Sequence, residues 1–573
     1  MPIDSNISDI YYVRNNARVR VNPGKFSYVP NQKNHLQSDT LHLKHKHLVF
    51  ALFIIISIAL VILLFKPLLT LFFINDDLTI LYGARKTLDI SYSKISYLIT
   101  ILTSPSTFDM AFRPISVMLY PAILFKMFAL NPIGYHCVNL FLHILNTVLF
   151  FFLINTIFKD RITSCLSALL YGIRDYHYIN LAYAVAGSAD LLVQAAIIST
   201  LLFYFKYLRE KRPIDLIFVY LFYILSFLCK EIAVILFGLL LLLFCYQHWV
   251  VLKKQIGSKK MHHLIFPFVV TCLFVVWRLH LQQSVDIPSR LQIDRLIPFR
   301  FFMNFAYSFL GYHYVLPFKS KLQYANVLEL YIGIIIFFFC IASLINRPIR
   351  NKMVLALIWF SIAISPMLLQ PGRHAVHYAI IPSYILIGVI VSHSTNVFRK
   401  TGVLFKSMIV LALLLYIFLN WQIIQLKYND RIWTGGYIRT FDSKRLAAMI
   451  NDIKRIVPES GQNTNIFIAN YYSDVYISAN PGGEEYKLHF IGEHLLKLFY
   501  YNQRMEVHYF HPGKPMSTIP VSWFTDFQEF IASYDTRKDV LLLYMNGHFY
   551  DYSKKEEEVR EIALNSWRRH IHR

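Results

Sequence analysis

Charged side chains are scarce in this chain of 573 residues. Asp, Glu, Lys and Arg make up 16% of it, where soluble domains carry nearer a quarter. That shortage argues against a string of soluble domains. Hydrophobic residues reach 56%, aromatic residues 16% and mean hydropathy +0.43. Apolar stretches of about 20 residues recur, each long enough to cross a bilayer, so the chain reads as an all-α polytopic membrane protein. Cysteine is scarce too. The six (Cys137, Cys165, Cys229, Cys245, Cys272, Cys340) sit in or beside apolar stretches without metal-ligand spacing, which excludes a disulfide framework and a zinc site. The first 48 residues are too long and polar for a signal peptide and lack a small-residue cleavage site; residues 1–47 read as a basic cytoplasmic tail. No repeat of 30–50 residues is visible, so no solenoid is appended.

Acidic residues are short in one region only. From residue 429 onward the chain has 18 Lys+Arg and 18 Asp+Glu, whereas residues 1–428 have 39 and 16. The net charge of +23 therefore belongs to the apolar part. Such a surplus suits cytoplasmic loops against anionic lipid, not a nucleic-acid face.

Hydropathy predicts about eleven spans, near 48–66, 136–157, 162–175, 188–207, 214–229, 232–251, 264–281, 328–345, 353–369, 377–394 and 407–425. With the tail inside, every inner connection is basic: Lys159/Arg161, Lys206/Arg209/Lys211/Arg212, Lys253/Lys254/Lys259/Lys260, Arg347/Arg350/Lys352 and Arg399/Lys400/Lys406. This is the positive-inside pattern. Ten acids then fall on the outer side: Asp76, Asp77, Asp89, Asp109, Asp175, Asp190, Glu231, Asp286, Asp294 and Glu329. The transmembrane region is thus 48–428. Residues 67–135 form a first outer loop, and 113–130 and 297–317 are read as interfacial helices. The stretch 429–573 alternates helix-like runs (441–456, 491–502, 523–533) with strand-like ones (464–470, 505–510, 539–545). It reads as a small extracytoplasmic α/β or α+β domain.

Polar signals cluster on that outer face: Asp76-Asp77 after an apolar run, Arg113-Pro114, His136/Asn139/His143, "VAGSADLL" (185–192), Lys230-Glu231 and "PGRHAVHYAIIPS" (371–383). Each also has a plain structural reading. His136, Asn139 and His143 lie at i, i+3 and i+7, one helix face, which in a bundle serves as an interhelical network. Asp76 suits a solvated helix end, Lys230-Glu231 a cap between two spans, and Lys66 a snorkelling lysine. Taken together, carboxylates, an arginine and histidines projecting from different spans toward one membrane face favour chemistry there. A transporter would hold its ionisable groups near the midplane.

At these residues the sequence resembles the type C glycosyltransferase superfamily, within it the transmembrane O-mannosyltransferase branch that carries tetratricopeptide repeats. The similar stretches are "NDD", "FRPISVMLY", "NPIGYHCVNLFLHILN", "AYAVAGSADLL", "LCKEIAVILFGLLLL" and "RHAVHYAIIPS", in that order, over about 70–250 and 365–385. The chain departs from the family in having Gly187-Ser188-Ala189-Asp190 where Gly-Arg-Ala-Asp is typical. It has "RDYHYIN" (174–180) where a His-Pro with a following Glu is usual, and 429–573 in place of repeats.

The resemblance implies a polyprenyl-phosphate sugar donor, an acceptor hydroxyl on a protein, glycan or lipid, and transfer with inversion. It assigns Asp76 as general base. Asp77 would orient it, bond the acceptor or, with Asp76, hold a divalent cation (Mg or Mn). Arg373, with His377, Tyr378 and Lys230, is the candidate grip on the donor phosphate. Asp190, Arg113, His136 and His143 are candidates for sugar or acceptor contacts. The expected location is a membrane, bacterial plasma membrane ahead of endoplasmic reticulum. The competing functions are a flippase for a lipid-linked substrate and a non-catalytic assembly partner on the same scaffold.

Overall fold

The computed structural model describes residues 11–14, 17–20, 54–74, 76–90, 93–103, 112–251, 261–281, 297–310, 325–345, 347–368, 380–429, 440–457, 465–470, 507–510, 522–524, 527–535, 539–545 and 548–553, with 555, 558–559 and 561. The chain divides into two compact units, Met1–Ile56 and Ser57–Arg573. In the first, β1 (Tyr11–Arg14) and β2 (Ala17–Arg20) pair antiparallel, Tyr11 opposite Arg20.

From residue 54 onward the chain is built mainly from helices. They are α1 (Ile54–Thr70), α2 (Asp76–Ile90), α3 (Lys94–Thr103), α4 (Pro114–Phe128), α5 (Pro132–Phe158), α6 (Arg161–Gly172), α7 (His177–Ala182), α8 (Ser188–Glu210), α9 (Pro213–Cys229) and α10 (Glu231–Trp249), followed by α11 (Ile265–Leu281), α12 (Ile297–Leu310), α13 (Ala325–Ala342), α14 (Arg347–Leu368), α15 (Ile380–Lys400) and α16 (Val403–Tyr428). Local chemistry sets several starts. Pro114, Pro132 and Pro213 occupy first-turn positions, where a missing N–H costs nothing. Asn131 caps α5 by accepting from Ile133 N, and Asp160 caps α6 by accepting from Thr163 N. Lys159 and Lys211 close α5 and α8 in the left-handed conformation.

Among the described residues six helices have the length and hydropathy to cross a bilayer: α5, α8, α10, the Ile349–Leu368 part of α14, α15, and the Lys406–Tyr428 part of α16. Five other apolar helices are shorter, including α1, α4 and α9. The expected span 162–175 takes a different form. Helix α6 ends at Gly172 after 12 residues, about 18 Å against a hydrocarbon core of about 30 Å. The chain then runs through a buried turn, α7 and a second turn (183–187) before α8 begins. Irregular backbone of this kind survives within a bundle only where protein groups satisfy it.

Beyond α16 the chain forms α17 (Thr440–Ile456), β3 (Ile466–Asn470), β4 (Val507–Phe510), β5 (Ser522–Phe524), α18 (Phe527–Ala532), β6 (Val540–Met545) and β7 (His548–Asp551). The sheet order is β5-β4-β3-β6-β7, parallel except for β7 against β6. The alternation of apolar and strand-forming residues at 464–470, 505–510 and 539–545 predicts three of these strands, and the two short ones complete the sheet. The helix-like run 491–502 lies outside the described residues. One face of β3 and β6 (Ile466, Ile468, Leu542) joins a buried cluster with α17 (Met449, Ile450, Ile453) and with Phe73, Leu78, Leu81, Tyr135 and Val185. The C-terminal sheet thus packs on the end of the bundle where α1 leads into α2.

Candidate active site

The buried segment between α6 and α8 is held in place mainly by one face of α5. His143 Nε2 lies 2.8 Å from Gly172 O. His136 places Nδ1 3.0 Å from Leu181 O and Nε2 3.1 Å from Leu71 O. Asn139 Nδ2 donates to Tyr183 O (3.0 Å) and Ala184 O (2.9 Å), and Asn146 Nδ2 to Leu191 O (2.9 Å). His136, Asn139 and His143, at i, i+3 and i+7, therefore supply partners for carbonyls that the broken segment leaves without intrahelical ones, and Asn146 at i+10 adds a bond to the first turn of α8. Glycine is needed once. A Cβ on Gly187 would lie 2.1 Å from Asn180 O, so the turn closes on α7 only without a side chain there.

Asp77 holds the same turn from the other side. Its Oδ1 accepts from Val185 N and Ala186 N, both at 2.8 Å, and its Oδ2 accepts from Ala184 N (2.9 Å) and Ile74 N (3.0 Å). Asp77 N in turn donates to Ile74 O at 3.0 Å. The carboxylate is fully buried. Burial pushes its pKa up to about 6, against the pull of the four amide donors. Each oxygen already accepts two bonds, its full lone-pair complement, so Asp77 does not fit the part of a cation ligand. Among the described residues no group of three His, Cys, Asp or Glu is arranged to hold a metal.

A charge cluster lies where α8, α9 and α10 meet the start of α4. Lys230 Nζ pairs with Asp190 Oδ1 at 2.6 Å. Arg113 grips Glu231 in a fork, Nε to Oε2 at 2.7 Å and Nη2 to Oε1 at 2.5 Å, and Arg278 Nη1 of α11 lies 3.4 Å from Glu231 Oε2. Ser116 Oγ donates to Cys229 O at 2.5 Å, tying α4 to the end of α9. Among the described residues this cluster holds three cations and two carboxylates. A buried pair nearby, Lys427 with Asp175 at 2.6 Å, clips the end of α16 to the segment after α6, where Arg174 also reaches Tyr416 and Tyr176. Asp77, Asp175, Asp190 and Glu231 therefore gather at one end of the bundle. At the other end Arg399 pairs with Asp160 (2.9 Å).

No family model matches the chain. A stretch of 111 residues, 19% of the chain, is 32% identical to the protein O-mannosyl-transferase TMTC1 of Mus musculus. The chain spans about a tenth of that relative's length, since the match covers 11% of it. Among solved structures, ArnT from Cupriavidus metallidurans, bound to undecaprenyl phosphate, aligns over 86% of this chain and 92% of its own at 11% identity and a TM-score of 0.47. The oligosaccharyltransferase of Archaeoglobus fulgidus, tethered to an acceptor peptide, aligns over 79% of this chain and 63% of its own at 12% identity and a TM-score of 0.45.

The residues singled out in the sequence divide into three groups. Asp77, Asp190, Lys230 and Arg113 meet at one end of the bundle, each in a defined polar contact. His136 and His143 are buried and turned to backbone carbonyls, the interhelical reading of that helix face. The Asp76 side chain, Arg373, His377 and Tyr378 lie outside the described residues. Sequence reading passed over three contributors. Asn146 continues the α5 face one step beyond His143. Arg278 sits near the end of an apolar helix, where it reads as a snorkelling side chain. Lys427 gives no signal before its partner Asp175 is placed beside it.

Proposed function

We propose that the protein is a membrane glycosyltransferase that moves a sugar from a polyprenyl-phosphate donor to an acceptor hydroxyl on the extracytoplasmic side. The observation that carries this reading is the half-buried ion-pair cluster in which Lys230 meets Asp190 while Arg113 and Arg278 meet Glu231, with Asp190 four residues along the chain from the turn that Asp77 holds. Lys230 and Arg278, oriented by these carboxylates, are groups of the kind that bind phosphate oxygens. The ordered motifs at 70–250 and the likeness to a protein O-mannosyl-transferase support the same reaction class.

In this reading Asp76 is the base. By binding Ile74 N from the first turn of α2 and the 184–186 amides from the facing turn, Asp77 fixes the backbone beside it. Asp76 takes the acceptor proton as the acceptor oxygen attacks the anomeric carbon. The bond from that carbon to the phosphate oxygen breaks, polyprenyl phosphate leaves, and the configuration inverts. A positioned base contributes roughly 10²–10⁴-fold, and a fixed cation beside the leaving phosphate lowers the barrier further. Arg373, His377 and Tyr378 remain donor-phosphate candidates, while Asp190 and Arg113 shape the sugar side. Mannose is the first sugar to test. Purified protein supplied with polyprenyl-phosphate mannose and a hydroxyl acceptor should form a glycosidic product, and Lys230→Met should raise the donor KM by tenfold or more. An unchanged donor KM in that variant would put the phosphate elsewhere.

A further inference from the structure

We propose that the C-terminal α/β unit is a positioning part of the catalytic centre, not a separate module that recruits acceptors. What the centre does rests on the function proposed above; how it is held does not.

The sheet uses its two faces differently. Along β3 the side chains alternate: Phe467 turns to a cluster closed within the unit by Phe530, Leu541, Leu543 and Val559. Ile466 and Ile468 turn the other way, into the cluster shared with the bundle. Helix α17 contributes Met449, Ile450 and Ile453 to that second cluster from one face, while Arg455 on its other side is 73% exposed. The partners supplied by the bundle are the neighbours of the Asp77 bonds. Phe73 precedes Ile74, whose amide Asp77 binds, Leu78 follows Asp77, and Val185 carries one of the bound amides. Apolar cover over these bonds keeps water from competing for the carboxylate and the amides, and local opening of a segment becomes easy where such cover is thin. An interface that only tethers two domains is more polar than this and leaves them free to move. Here one continuous apolar core runs from the sheet to the residues flanking Asp76, so the unit sets how firmly the 184–186 turn and the start of α2 are held together.

Amide hydrogen exchange of Ala184, Val185 and Ala186 in the full-length protein reads this directly and needs no enzyme assay. Ile453→Asn should speed exchange at these amides by tenfold or more, Ile453→Ala by severalfold, and Ile453→Leu should restore the wild-type rate. Val559→Ala, in the other cluster, should leave them unchanged. In the transfer assay Ile453→Ala should lower kcat with donor KM unchanged. If Ile453→Asn does not accumulate, Ile453→Ala carries the test. Wild-type exchange at 184–186 in the Ile453 variants, or equal acceleration by Val559→Ala, would overturn the proposal. A protein that shows the predicted exchange pattern but transfers no sugar would keep the inference and sink the reaction.

Discussion

Replacing Asp77 by asparagine isolates the bond set on which the centre is built. The carboxylate presents two acceptor oxygens, each shared by two backbone amides. Asparagine keeps one acceptor and puts an NH2 in place of the other, so in either rotamer two buried N–H donors face a donor. Each orphaned buried group costs about 1–3 kcal/mol, giving about 2–6 kcal/mol for the pair. A unit of some 500 residues unfolds with an entropy near 1 kcal/mol per kelvin if it melts as one, so the midpoint should fall by about 2–6 °C. The free cysteines provide the assay: Cys165, Cys229 and Cys340 are buried and become reactive on unfolding. Asp89→Asn is the control, because its i, i+4 pair with Arg85 is exposed and worth well under 1 kcal/mol. A melting point for Asp77→Asn within a degree of wild type would mean that the four bonds do not hold the turn.

Other perturbations have equally definite outcomes. Asp77 has a folded-state pKa near 6 against 3.8 for the free side chain. Burial thus favours folding at low pH, the gain being full below pH 3.8 and lost as pH rises through 6; thermal melts between pH 4.5 and 7.5 should fall across that range in the wild type and not in Asp77→Asn. Gly187→Ala sets a Cβ against the Asn180 carbonyl, so membrane yield should drop severalfold, whereas Gly402→Ala, in open space, should express normally. A double-mutant cycle over Lys230→Met and Asp190→Asn should return a coupling of about 1–3 kcal/mol in thermal stability; zero coupling would remove the pair from the cluster.

Much of this architecture is legible in the sequence because it follows from periodicity. The α5 residues His136, Asn139 and His143 mark one face of a helix before any partner is known. The basic connections predict an inner side, and the apolar alternation at 464–470 and 539–545 gives two central strands. The rest depends on distance along the chain. Asp77 meets amides more than a hundred residues away, and Arg113 meets Glu231 at a separation of 118. No local pattern encodes either contact. The early stop of α6 is hidden for a related reason. The residues after Gly172 are as buried as a span, and hydropathy measures burial without distinguishing a helix from a turn whose carbonyls α5 satisfies. Asp76-Asp77 shows both limits at once. The pair is conspicuous as two acids beside an apolar run, yet only the fold reveals that the second is enclosed by backbone donors.

The central claim is chemical transfer with Asp76 as base, and it is tested by counting products. Purified protein in lipid nanodiscs, given polyprenyl-phosphate mannose and an acceptor hydroxyl, should release one polyprenyl phosphate for every sugar linked to the acceptor. Asp76→Asn should release neither while melting at the wild-type temperature. Undiminished transfer by Asp76→Asn, or wild-type protein that moves the donor across a bilayer without cleaving it, would contradict the account.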